Sequence, residues 1–160
     1  MTDKFDVLRD LAPGPSRFFD DFEVGEVFHI PSRTMTEALF AAFQLASGDN
    51  DPIHYDVNYC RARGHKHMLA HGMQIMIQSA AGAGTFPQQV ADSLLGMLEL
   101  SGKILGPVYA GDTLYPRLTV SKLEPQNTTG VLTLRAEIWN QDSAKVFEGE
   151  HRYLIRKRVG

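Results

Sequence analysis

The sequence predicts an α+β domain in which a curled antiparallel sheet wraps around a central buried helix. Three observations carry this reading. The run from Gly72 to Phe86, GMQIMIQSAAGAGTF, is apolar nearly all round, as a helix enclosed by other elements must be. The chain beyond it divides into four strand-like segments. Turn-forming clusters separate the last of these, a pattern that pairs consecutive strands antiparallel. A sheet with one apolar face and a helix with little polar surface bury each other in a single layered unit.

Taken in order, residues 1–17 are polar and contain Pro13, Gly14 and Pro15, so they read as an N-terminal arm. A short strand is expected from Val24 to Ile30, stopped by Pro31. Thr34 and Glu37 stand at capping-box spacing and predict a helix start. Leu39, Phe40, Phe43 and Ala46 then recur at helical spacing, and Gly48 ends the helix. Residues 49–70 read as one long irregular, polar segment, which in a small domain points to function or disorder. The central helix follows. The strands are expected at 95–105, 116–123, 131–139 and 146–155, with Leu132, Leu134, Ala136 and Ile138 sharing one face of the third. Gly106–Pro107, Ala110–Asp112, Asn127–Gly130 and Asn140–Ser143 supply the turns.

A chain of 160 residues with 43% hydrophobic and 22% charged residues fits one domain over 1–160. A net charge of −3 gives no basic surface for a nucleic-acid partner. Arg152, Arg156, Lys157 and Arg158 read as a solvated strand edge and tail. No apolar run has the length of a membrane span, and no signal segment opens the chain. The single cysteine, Cys60, can form no internal disulfide, which favours a reducing, cytoplasmic setting.

Two features could carry chemistry. Ser47-Gly48-Asp49-Asn50-Asp51-Pro52-Ile53-His54 brings two carboxylates and an imidazole together just past a helix end. Pro52 stiffens the segment, so Asp49 and His54 could share one water as a general acid–base pair. An ordinary Asx turn with a surface histidine has the same spacing. The second feature is His71-Gly72 at the start of the central helix, where unpaired N–H groups could receive an oxyanion. A glycine needed for helix–sheet packing is the alternative there. Cys60, His65, His67 and His71 fit no zinc spacing, so no metal is expected. Arg61, Arg63 and Lys66 could meet phosphates or form a solvated loop. No nucleophile elbow and no phosphate- or dinucleotide-binding glycine motif occurs, so no cofactor is expected.

Leu45-Ala46-Ser47-Gly48-Asp49 followed by Asp51-Pro52-Ile53-His54 resembles the signature of the MaoC-like dehydratases, the (R)-specific enoyl-CoA hydratases. His71-Gly72-Met73 matches the start of that family's central helix, and Ala110-Gly111-Asp112-Thr113-Leu114 resembles its late turn. The likeness spans roughly residues 20–156. It implies a hot-dog fold and a homodimer. It also implies a lyase of fatty acid metabolism that reversibly hydrates a trans-2-enoyl thioester of CoA or acyl carrier protein to the 3-hydroxyacyl thioester. Asp49 and His54 would hold the water and move protons, and Gly72 N–H would bind the thioester oxygen, with Asp51 beside them. Two departures stand out. Asp51 replaces the family's asparagine, and a serine of some members falls on Ala80, one residue from Ser79. A thioesterase on the same fold, or a non-catalytic acyl-thioester-binding domain, are the alternatives.

Overall fold

The computed structural model describes residues 14–158, so most of the expected arm lies outside it. Strand β1 (Val27–His29) opens the sheet, and β2 (Arg33–Thr34) follows. Helix α1 (Glu37–Ser47) comes next. Its cap is Thr36, whose side chain accepts the Leu39 N–H at 3.3 Å. Thr34 is instead paired with Thr113 in the sheet, so the expected capping box is displaced. Glu37 opens the first turn, too early to reach back to a cap. Gly48 ends the helix at a φ of 73°, the left-handed conformation that glycine tolerates.

The segment 49–70 is more ordered than its polarity suggests. A 3-10 turn spans Pro52–His54, and helix α2 covers Val57–Ala62. Asp56 caps α2 by accepting from Asn58 and Tyr59 N–H, a signal present in the sequence as an aspartate before Val57 and Cys60.

The central run is helical over a shorter stretch than its composition implies. Helix α3 covers Gly72–Ile77, and a 3-10 turn at Ala81–Ala83 and helix α4 (Phe86–Gln89) follow. Ser79 turns its hydroxyl back onto the Met76 carbonyl at 2.7 Å, and Gly82 and Gly84 then weaken continuation. Gln74 and Ile75 are buried, but Met73 is 67% exposed and Ile77 48%.

Strands β3 (Leu94–Ile104), β4 (Thr113–Pro125), β5 (Thr129–Trp139) and β6 (Lys145–Arg156) complete an antiparallel six-stranded sheet of order β1-β4-β5-β6-β3, with β2 also on β4. Leu118, Val120, Leu132, Leu134, Ala136 and Ile138 form its fully buried inner face. Ile75 of helix α3 belongs to the same buried core as that face. Ser79, just beyond it, sits 3.1 Å from His151 of β6. Phe22, Phe28 and Phe86 cluster at one end, and Phe19 lies against Gly130. The architecture is the expected hot-dog arrangement, α+β, with a helix in the curl of one sheet.

Candidate active site

The turn after α1 is built by backbone amides. Asp51 N–H donates to Asp49 Oδ1 at 3.2 Å, and Ile53 N–H donates to Asp51 Oδ1 at 3.0 Å. His54 N–H closes the turn on the Asp51 carbonyl at 3.1 Å, with Pro52 at its first position. These are local Asx bonds, and they aim the Asp49 carboxylate rather than consume it. Asp51 serves the turn with both its amide and its carboxylate, and its side chain is exposed.

His54 is oriented by a second segment. Its Nδ1 lies 2.7 Å from the Leu69 carbonyl oxygen. A carbonyl only accepts, so Nδ1 carries the proton and Nε2 presents a lone pair. The Leu69 carbonyl is itself fixed. Leu69 N–H donates to Ile53, Ala70 N–H to Val108, and Ala110 N–H to Met68, which ties the segment between the turn and the Tyr109 loop.

His71, at the cap of α3, completes the group. One ligand-type atom each of Asp49, His54 and His71 lies within 4.8 Å of the others. One water bridging Asp49 and His54 fits that spacing. The same three side chains resemble a metal set, but the geometry opposes one. The His54 and His71 rings stack with centroids 3.7 Å apart and planes 23° from parallel. Their nitrogen lone pairs lie in the ring planes, so they run side by side instead of converging on one ion.

Tyr55 and Gln74 belong to the group, and neither stands out in the sequence. The Tyr55 hydroxyl is 2.6 Å from His71 Nε2 and 3.0 Å from the Asp49 carbonyl. Burial first, and then the Asp49 charge, push the Tyr55 phenol above its ordinary pKa, so it stays protonated. Gln74 lies 3.2 Å from His71 Nδ1 and is buried. Its place three residues after His71, one helical turn on, is the signal that could have found it.

Gly72 is exposed at the first position of α3. A methyl group there would stand 3.6 Å from Ile104 Cγ1, an ordinary contact. Packing within the chain therefore does not demand glycine.

Other candidates lie elsewhere. Ser79 is fully buried against His151, and Ala80 is exposed. Cys60 is buried with its thiol on the Ile53 carbonyl at 3.0 Å, an ordinary packed thiol. His65 leans on Tyr109. The Arg63 guanidinium covers the Tyr59 ring at 3.4 Å, and the Lys66 ammonium covers Tyr109 at 4.7 Å. In the tail cluster, Arg152 pairs with Glu99 and Glu124, and Arg158 with Asp21.

The chain is 27% identical over 147 residues to the "Uncharacterized protein YdeM" of Bacillus subtilis, covering 86% of this chain and 98% of that one. A structure named as a monoamine oxidase regulatory protein from Archaeoglobus superposes with a TM-score of 0.83 at 24% identity, over 90% of this chain and 97% of that one. The R-hydratase PhaJ1 of Pseudomonas aeruginosa superposes with a TM-score of 0.74 at 23% identity, over 88% and 86% of the two chains. The family model described as the MaoC like domain matches residues 21–141, a span that includes the Asp49–His54 turn and all of α3, and the chain belongs to that family.

Proposed function

We propose that the protein reversibly hydrates a trans-2-enoyl thioester to the 3-hydroxyacyl thioester. The supporting observation is the turn that brings Asp49 and His54 together while the Leu69 carbonyl takes the His54 Nδ1 proton, which leaves Nε2 as the ring nitrogen with a lone pair. In the hydration direction, Asp49 holds a water by one hydrogen and His54 Nε2 takes the other. The water oxygen bonds to C3, and the C2=C3 electron pair moves onto the thioester oxygen. Gly72 N–H, unpaired at the helix start, receives that charge. The proton returns to C2 from the pair, and dehydration retraces the same steps.

A thioesterase reading needs a working carboxylate on the central run. Residues 72–86 hold no Asp or Glu, and Gln74 is spent on His71 and the Leu39 carbonyl. A binding domain without chemistry would have no use for a histidine with one nitrogen fixed and the other bare.

The working unit is a homodimer. Among the described residues, edge strand β3 pairs only with β6; it exposes Leu98, Leu100 and Ile104, and α3 exposes Met73 and Ile77. An open edge that long and apolar is an aggregation template unless a copy covers it about a two-fold axis. Phe19 and Phe22, which follow the arm, pack on Gly130 and Phe86, and Met73 stays 67% exposed among the described residues. With one buried thiol, and no helix among the described residues able to cross a membrane, the cytoplasm is the compartment we assign.

The test is a panel of short-, medium- and long-chain trans-2-enoyl-CoAs, with branched and dicarboxylic forms and the matching acyl carrier protein thioesters. Loss of enoyl-thioester absorbance is followed. No turnover of any member overturns the reading.

A further inference from the structure

We propose that His71 and Tyr55 are positioning residues that clamp the acid–base pair: His71 holds the His54 ring by stacking and, through the Tyr55 hydroxyl, the Asp49 end of the turn. This rests on the hydration reading above and deepens it.

Hydrogen bonds link the clamp from the Leu39 carbonyl through to Asp49. Gln74 Nε2 donates to the Leu39 carbonyl at 2.9 Å, which turns its Oε1 toward His71 Nδ1. An amide oxygen accepts, so His71 Nδ1 carries a proton. His71 Nε2 lies 2.6 Å from the Tyr55 hydroxyl. That hydroxyl donates to the Asp49 carbonyl at 3.0 Å, and the same carbonyl lies 3.4 Å from His71 Nε2.

His71 is held from every side. It is 2% exposed, with Phe43 at 4.8 Å and Phe40 at 6.5 Å between ring centroids and the His54 ring stacked on its face. It makes no cap bond to its own helix. All its polar capacity goes to Gln74, Tyr55 and the Asp49 carbonyl. Asp49 and His54 lie at the two ends of one turn. His71 ties both ends to the buried start of α3, one by stacking and the other through Tyr55.

Tyr55→Phe tests this with a single oxygen removed. We expect kcat to fall about tenfold with KM unchanged, the loss when one hydrogen bond no longer places a reacting group. His71→Gln should cost more, and the double variant no more than His71→Gln alone, because both act through one bond. Additive losses, or a wild-type kcat in Tyr55→Phe while Asp49→Ala is inactive, overturn the clamp and leave the hydration reading intact. Ring nitrogen–proton NMR correlations of the resting protein need no turnover. Tyr55→Phe should move the His54 ring signals, and unmoved signals overturn the proposal. Moved signals in a protein that hydrates no enoyl thioester uphold the clamp and sink the hydration reading instead.

Discussion

The His54 ring lies flat against the His71 ring, 3.7 Å between centroids, while its Nδ1 is tied to the Leu69 carbonyl at 2.7 Å. A face and an edge are thus both fixed, by segments that are far apart in sequence from the turn that carries His54. Nε2 is left as the ring nitrogen with a lone pair. Preorganisation of this kind separates a reacting imidazole from a surface one.

Removing either member of the pair should therefore abolish most turnover. Asp49→Ala and His54→Ala are each expected to lose at least about 10²-fold in kcat, the scale of a lost acid–base step. Circular dichroism should show both folded, because Asp49 is exposed and His54 half-buried. Folded variants that keep wild-type rates would remove the pair from the reaction.

Gly72 can be probed by its amide alone. Proline suits the first helical position, and His71 at φ −62° and ψ 143° already has the backbone that a residue before proline adopts. Gly72→Pro should keep the fold and lose about 10²–10³-fold in kcat, as when an oxyanion donor is deleted. Gly72→Ala, which keeps the N–H, should lose far less. Equal losses would show that bulk, not the donor, matters.

For Asp51 the family's asparagine is the informative replacement. The carboxylate accepts from Ile53 N–H, and the amide that holds Asp49 belongs to the backbone. Asp51→Asn should keep both bonds, the rate and the shape of the pH–rate profile. Asp51→Ala should cost about 1 kcal/mol of stability through the lost turn bond, read by urea denaturation. A profile displaced toward lower pH in Asp51→Asn would mean that the carboxylate acts on the pair directly.

Sedimentation equilibrium should report a dimer at micromolar protein. Leu98→Lys places a charge on the exposed edge strand and should shift the population to monomer without unfolding it, since Leu98 is 53% exposed within one chain. A wild-type monomer that turns over substrate would show the site to be complete in one chain.

Acid stability should depend on His151. Burial lowers its pKa from 6.5 to about 4. The unfolded imidazole takes up a proton as pH falls through its ordinary value, while the folded one stays neutral until about 4. The stabilising contribution is thus complete above pH 6.5 and lost progressively down to about 4. The loss amounts to about 3 kcal/mol over that window. His151→Leu should flatten this limb in urea denaturation at fixed protein concentration. An unchanged limb would assign the acid sensitivity to other groups.

Much of the molecule follows from local chemistry. Alternation placed Leu132, Leu134, Ala136 and Ile138 on one buried face, because side-chain period in a strand is set by the backbone itself. Gly48 ended α1 where a left-handed residue was needed. That Asp49 and His54 lie close together was legible from spacing, since five residues and a proline leave the chain few ways to separate them.

The rest depended on contacts between distant segments. Composition made the run after Gly72 look wholly enclosed, yet α3 stops at Ile77 and leaves Met73 in solvent, because apolar content does not say which surface another chain will cover. The Leu69 carbonyl selects the His54 tautomer, and a carbonyl has no sequence signature. Tyr55 and Gln74 matter only because the fold brings His71 back over the turn. Residue type determined what chemistry was available here. Tertiary packing decided which nitrogen of which histidine was left free to perform it, since hydrogen-bond direction is fixed by the partner that the fold supplies.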